Sequence, residues 1–257
     1  MVQFFFFDGP QRTTVRLLAW LLLAAPLATA QPTLVKDIVP TGTQPLTGSA
    51  SFRPASLVSL NGTVYFSAFD PRYGRELWKS NGTAAGTVLF KDIIPGATGS
   101  GPTELAVVGN TLYFSAEDGQ GGRELWKSDG TAGGTVRVKD IFPGAVGSSP
   151  TGLTAVGSTL YFTADDGASG QELWKSNGTA AGTVRVKDII PGATGTGPQA
   201  LTAVGNTLYF TATDAAGREL WKSNGTAAGT VLVKDINLGD GSSAPKHLAA
   251  LNGTVYF

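Results

Sequence analysis

The chain has no cysteine, one histidine and one methionine among its 257 residues. Without cysteine it has no disulfides, thiolate metal sites or cysteine nucleophiles. A single histidine is a poor basis for a zinc site, which usually takes three or four ligands. The 19 basic and 19 acidic side chains balance, so no net charge attracts the chain to nucleic acid or to an anionic membrane. These shortages argue against nucleic-acid binding and against most side-chain catalysis.

The first 30 residues have the pattern of a secretory signal peptide. Arg12 and Arg16 precede an apolar run over residues 17–27, and small residues at 28–30 then offer a cleavage site before Gln31. The run is short for a membrane span of about 20 residues, although an uncleaved anchor is the alternative. The sequence therefore predicts an exported protein, secreted or in the cell envelope, with no membrane span after cleavage.

A unit of about 48 residues repeats along residues 31–257, which we interpret as a single repeat domain. Full repeats occupy about 55–101, 102–149, 150–197 and 198–244, with partial units at 31–54 and 245–257. The phrase "ELWKSNGTAAGT" and its near-copies mark the register through four tryptophans spaced by 48, 48 and 47 residues: Trp78, Trp126, Trp174 and Trp221. A repeat of this length indicates an array or a propeller.

The third unit separates into four short strands at its glycines. "LTAV", the Gly157-Ser158 turn and "TLYFTA" read as a hairpin, and "ELWKS", an Asn-Gly turn and "VRVKDI" follow. No stretch has the apolar period of a helix. We therefore predict an all-β fold, a β-propeller of four-stranded antiparallel blades, with the small apolar first strand nearest the axis. A β-solenoid is the alternative.

The two ends of the repeat region carry partial units. Residues 34–38 read as a spare fourth strand, and residues 247–257 read as a spare first and second strand. Either about five blades close, one of them with three strands, or the sequence is part of a longer array.

The repeated residues resemble the ELWxxDGT repeat proteins of bacteria. "ELWKSDGT" at residues 124–131 fits that motif in full, whereas Asn81, Asn177 and Asn224 stand where the family has Asp. The resemblance implies a propeller-like fold and an extracellular or cell-envelope location, and it implies no defined activity. A turn accepts Asn or Asp before Gly almost equally, whereas a cation site would lose a charge. We therefore interpret this position as structural.

Repeated carboxylates are the candidate site residues. Four aspartates each begin a glycine-bearing loop after the second strand, where they could contact calcium or a sugar hydroxyl or close an Asx-turn: Asp70, Asp118, Asp166 and Asp214. Four glutamates open the third strand, where we expect ion pairs rather than the acid and base of a glycosidase: Glu76, Glu124, Glu172 and Glu219. The four repeat tryptophans are interpreted as core rather than as sugar-stacking platforms.

The lone histidine, His247, differs from the residues at its position in the other units. These are Ser56, Glu104, Gly152 and Ala200. Without a repeated carboxylate partner, His247 is poorly placed for general-base catalysis.

Export, repetition and the missing catalytic set favour a non-catalytic binding or scaffold protein that contacts a glycan or an extracellular protein through rim loops. The alternatives are a secreted carbohydrate-active enzyme, a hydrolase or lyase, and a calcium-stabilised structural module. No cofactor is predicted other than calcium in that last case, and the metal site and oligomeric state stay open.

Overall fold

The computed structural model describes residues 35–36, 38, 54–120, 122–192 and 195–257. The predicted signal peptide at 1–30 lies outside these residues, as does most of the partial unit at 31–54. Every regular element in the described ranges is a β-strand. The same ranges hold no helix long and apolar enough to cross a membrane.

The strands of the described residues form four sheets of four strands and one of two. The first sheet consists of β1 (Ala55–Leu60), β2 (Thr63–Asp70), β3 (Gly74–Ser80) and β4 (Val88–Lys91). The second consists of β5 (Thr103–Val108), β6 (Thr111–Glu117), β7 (Arg123–Ser128) and β8 (Val136–Arg137). The third consists of β9 (Thr151–Val156), β10 (Thr159–Asp165), β11 (Gln171–Ser176) and β12 (Val184–Lys187). The fourth consists of β13 (Gln199–Val204), β14 (Thr207–Asp214), β15 (Gly217–Ser223) and β16 (Val231–Lys234), and β17 (Ala249–Leu251) pairs with β18 (Thr254–Tyr256).

Each four-stranded sheet is a propeller blade. Its strands are antiparallel and follow chain order from first to fourth. The first strands of consecutive sheets pack against one another, β1 on β5, β5 on β9 and β9 on β13. The prediction of an all-β propeller with the first strand innermost is therefore confirmed.

The hairpin between the first two strands of a blade depends on residues that accept positive φ. In the first blade Asn61 and Gly62 occupy the turn with φ of 50° and 76°. Asn and Gly adopt this left-handed region at little cost, and such a turn matches the twist of the flanking strands.

The hydrophobic cores lie between blades rather than within them. Tyr113 and Leu125 of the second blade share a buried cluster with Phe162 and Trp174 of the third. The same arrangement joins the first blade to the second and the third to the fourth. Because burial of one such side chain contributes about 1.5–3 kcal/mol, each blade depends on its neighbours for stability.

Lysines add polar contacts across the same interfaces. Lys127 Nζ donates to the carbonyl oxygen of Gly178 in the following blade at 2.7 Å. Lys187 Nζ donates to the Thr230 carbonyl at 2.9 Å and lies 5.8 Å from the centre of the Trp221 ring. The lysines of the repeated phrase and of the fourth strand thus connect one blade to the next.

Residues 35–36 and 38 cover the first blade as a preceding fourth strand would. Lys36 Nζ donates to the Thr87 carbonyl at 2.7 Å, and Ile38 packs against the cluster that contains Phe66 and Trp78. Lys187 makes the matching contact with Thr230 three blades later. At the other end, β17 and β18 pair with each other in a sheet of their own.

Candidate functional site

The loops that the sequence singled out lie together at one end of the blades. This end, which we call the variable face, comprises the start of each first strand, the loop between the second and third strands and the connection to the next blade. The loop between the second and third strands lies against the connection to the next blade. Their backbones are so close that a Cβ on Gly122 would lie 2.4 Å from the Gly147 amide nitrogen. At the opposite end, the turn face, the phrase "SNGTAAGT" recurs three times without change, and residues 128–135 differ from it at two positions.

All four candidate aspartates lie on the variable face and close Asx-turns. Asp118 Oδ1 accepts from the Gln120 amide at 2.9 Å, and Asp214 Oδ1 from the Ala216 amide at 2.8 Å. Asp70 and Asp166 bind amides two residues on in the same way. Each of these carboxylates therefore accepts a backbone hydrogen bond in an Asx-turn, which is the structural role considered for them from the sequence.

Three of these aspartates also face an arginine. Arg72 donates from its side chain to Asp70, which lowers the pKa of that carboxyl. Arg137 Nη1 lies 3.1 Å from Asp118 Oδ2, and Arg185 makes the corresponding contact with Asp166. Burial raises the pKa of Asp166, but backbone hydrogen bonds and Arg185 outweigh it, so the net pKa is lowered. Three of the four candidate carboxylates on the variable face are therefore paired with a cation.

The repeated glutamates are buried and bind the connection to the next blade. Glu76 accepts from the amide and the hydroxyl of Ser100, at 2.7 and 2.6 Å, and from the Ile94 amide at 3.2 Å. Glu172 binds the amide and hydroxyl of Thr196 in the same way. The prediction of ion pairs was wrong for these described residues, since their partners are backbone amides and hydroxyls. The residues in these positions are Glu76, Glu124, Glu172 and Glu219, all 0% exposed.

The surroundings of these glutamates shift their ionisation. Burial raises the pKa of Glu76 and Glu124, and it raises the pKa of Glu172 to about 7. At Glu219 burial acts in the same sense, but the hydrogen bonds, led by that of Ser243, outweigh it and lower the pKa.

The repeat tryptophans belong to the core, as predicted. Trp78, Trp126, Trp174 and Trp221 are between 4% and 9% exposed. Trp126 Nε1 donates to the Ala116 carbonyl inside its own blade. A ring buried to this extent offers no flat face to a sugar.

Asn and Asp are equivalent at the turn of the repeated phrase. Asn177 Oδ1 accepts from the amide and hydroxyl of Thr179 at 3.0 and 2.8 Å. Asp129 makes the same two bonds with Thr131 at 2.9 and 2.7 Å. The second glycine of the phrase, Gly182, has no room for a side chain, because a Cβ would lie 2.0 Å from Asn177 Oδ1. The turn explains the motif without a ligand.

A series of left-handed residues on the variable face was missed from the sequence. The second residue after the repeated proline of every unit has positive φ: Ser56, Glu104, Gly152, Ala200 and His247, with φ of 53°, 58°, 65°, 54° and 56°. It is the second residue of the innermost strand in the four full units, and it lies two residues before β17 in the last unit. The available signal was the alignment of the five units, since a position that admits Ser, Glu, Gly, Ala and His is not held by core packing. Here the repeats differ in charge at a shared backbone position.

His247 lies in this series beside a cavity of about 230 Å³. The cavity is bounded by the fourth blade and by the segment that leads to β17, and its lining includes Gln199, Arg218, Lys246 and His247. The His247 and Lys246 side chains are exposed. Among the described residues, no three His, Cys, Asp or Glu side chains converge in a way that could hold a metal ion.

Comparison with known proteins returns distant structural likenesses. No family model matches the chain, and no curated protein matches it. A puromycin hydrolase mutant complexed with PGG is 15% identical with a TM-score of 0.46, and the match covers 68% of this chain and 28% of that one. The acylaminoacyl peptidase of Pyrococcus horikoshii is 13% identical with a TM-score of 0.47, over 71% of this chain and 27% of the enzyme.

The computationally designed Ika4 protein is 15% identical with a TM-score of 0.38, over 72% of this chain and 96% of the design. The chain spans less than a third of the length of the two hydrolytic enzymes. Identities of this size carry no information about activity.

Proposed function

We propose that the chain is an exported, non-catalytic binding or scaffold protein that contacts a glycan or an extracellular protein through its variable face. The observation that carries the proposal is the division between the two ends of the blades. The residues of the repeated phrase form turns, core and contacts between blades, whereas the residues that differ between units lie on the variable face.

The support for export and for a bacterial origin comes from the sequence. The pattern at residues 1–30 supports secretion, and the resemblance to ELWxxDGT repeat proteins supports an extracellular or cell-envelope location. Repetition suits such a role, because several similar loops on one surface can bind a repetitive partner with greater avidity than one loop.

The enzyme alternative has weaker support from the same contacts. A glycosidase needs one carboxyl group that protonates and one that attacks or activates water. The four glutamates are buried among amide and hydroxyl donors, and the four aspartates are committed to turns, three of them also to arginines. Neither set offers an exposed pair in two different environments.

A glycan array and a pull-down with extracellular proteins test the proposal directly, with a hydrolase and lyase activity screen in parallel. We expect retention of at least one glycan or protein and no turnover. Turnover of any substrate, together with no retained partner, would contradict the proposal. The calcium-stabilised alternative predicts that a chelator lowers the melting temperature, because a ligand that binds only the folded state stabilises it.

A further inference from the structure

The cavity beside His247 differs in charge from the corresponding positions at the other blade boundaries. At the first boundary the matching lining residues include Arg75 and Glu104, and at the second Arg123 and Glu104, so one cation meets one acid. At the third boundary the arginine is replaced by Gln171, and no charged residue occupies the matching positions. The fourth boundary is therefore distinct in combining cationic groups without an acid.

Three basic side chains line the cavity at the fourth boundary. Arg218 is held in place by hydrogen bonds from Nη1 to the Gly197 carbonyl and to Thr211 Oγ1, both within 3.2 Å. Lys246 and His247 are neighbours in the chain and line the cavity from its other side. No aspartate or glutamate is among the lining residues. A fixed guanidinium and a mobile ammonium group together favour a carboxylate.

The remaining lining residues suit a small polar ligand. Gln199 offers an amide that can both donate and accept, as sugar hydroxyls require. Ala200, Ala244 and Pro245 supply short apolar surfaces. A cavity of about 230 Å³ is smaller than the roughly 300–1,000 Å³ typical of drug-sized ligands, so it matches a single sugar ring better than an oligomer.

We propose that this cavity binds the carboxylate of an acidic sugar unit, with Arg218, Lys246 and His247 as the groups that recognise it. The inference rests on the proposed function and deepens it, because it places one glycan contact on the variable face. The other blades then serve as neutral or mixed-charge surfaces on which further units of the same glycan lie.

The single histidine makes the proposal unusually direct to test. The imidazole protons of His247 give the only histidine ring signals of the full chain, so NMR reports on this cavity alone. We expect glucuronate to shift these signals saturably in the millimolar range and glucose to leave them in place. N-acetylalanine separates a sugar acid from a peptide carboxylate, and binding of it as tight as that of glucuronate would overturn the sugar assignment.

The fourth unit supplies the replacement residues for a test variant of the last unit. K246Q/H247A gives the last unit the pair that begins β13 in the fourth unit, Gln199-Ala200, where alanine already adopts φ of 54°. The single variants K246Q and H247A each remove one of the two substituted basic side chains and keep Arg218, and the K246Q variant retains the histidine signals.

We expect K246Q to bind glucuronate at least tenfold more weakly, measured by NMR. We expect K246Q/H247A to bind it at least tenfold more weakly, measured by calorimetry, with an unchanged melting temperature. Unchanged affinity in both variants, or no response of His247 to glucuronate, would overturn the inference. If glucuronate does not bind while another glycan or protein binds the variable face, this inference is wrong and the proposed function stands.

Discussion

Lys139 Nζ donates a 2.9 Å hydrogen bond to the carbonyl oxygen of Thr183, 44 residues further along the chain, and lies 5.8 Å from the centre of the Trp174 ring. One lysine thus contacts both the turn and the core of the following blade. Lys187 repeats both contacts one unit later. A residue that looks like an ordinary surface charge in the sequence is a contact between blades.

Replacement of this lysine should destabilise the protein through the interface. We expect K139M to lower the free energy of unfolding by about 1–2 kcal/mol, because it removes a hydrogen bond and a cation–π contact. Urea denaturation followed by tryptophan fluorescence measures the change. Lys234 occupies the same repeat position in the fourth blade and is exposed, so K234M is the matched control with an expected change within about 0.5 kcal/mol. Equal losses in the two variants would contradict the interface role.

The turn should distinguish asparagine from alanine but not from aspartate. Asn177 accepts two hydrogen bonds from Thr179 that alanine cannot accept, whereas Asp129 already accepts the same pair. We expect N177A to cost about 1–2 kcal/mol and N177D less than about 0.5 kcal/mol in thermal or urea unfolding. A large loss in N177D would show that the amide group itself is required.

Stability should fall as the pH rises through neutrality. The folded pKa of Glu172 is about 7, above its ordinary value of 4.5, so the folded state binds this proton more tightly than the unfolded state. The stabilisation is complete below pH 4.5 and is lost as the pH passes 7. We expect the free energy of unfolding to drop by on the order of 2 kcal/mol between pH 5 and pH 8, and E172Q to show a smaller drop in urea titrations at the two pH values.

Glu219 is the control for this pH dependence. Its folded pKa is lowered, so its contribution is present above the unfolded pKa and is lost only as the pH falls through the folded value. E219Q should therefore leave the change between pH 5 and pH 8 as it is in the unmodified protein. A slope flattened equally by E172Q and E219Q would contradict the assignment.

Relief of a left-handed residue should stabilise the chain. Ser149 has φ of 47° at a position where the first and third units have Gly101 and Gly197. We expect S149G to gain about 0.5–1 kcal/mol, because the strain of a side chain at this φ exceeds the extra entropy of glycine in the unfolded state. Differential scanning calorimetry should show a higher melting temperature. We expect G147A to lower the melting temperature instead, since its Cβ would lie 2.2 Å from the Arg123 amide nitrogen.

Much of the fold follows from local patterns that the sequence displays. In the third unit, "TLYFTA" and "ELWKS" correspond to β10 and β11 to within one residue at each end. The equivalence of Asn and Asp in the turn was also predictable, because only the oxygen of the side chain is used. These features depend on neighbours within a few residues.

The features that sequence reasoning missed depend on distant partners. Glu76 was expected to pair with a charge, but its donors lie up to 24 residues away in a connection whose amides have no other signature. The left-handed position near the start of each inner strand and the cavity beside His247 arise only when consecutive blades are placed together. Arg218 and Lys246 are 28 residues apart in the chain, and no local pattern joins them.

The central claim is that binding belongs to the variable face and stability to the repeated phrase. The most direct measurement compares the affinity of one captured partner for two variants that each add an arginine at an exposed position. Q120R lies on the variable face of the second blade, and A181R lies on the turn face of the third. With both variants folded, calorimetry should show at least tenfold weaker binding for Q120R and unchanged binding for A181R. Loss of binding in A181R with full affinity in Q120R would contradict the account.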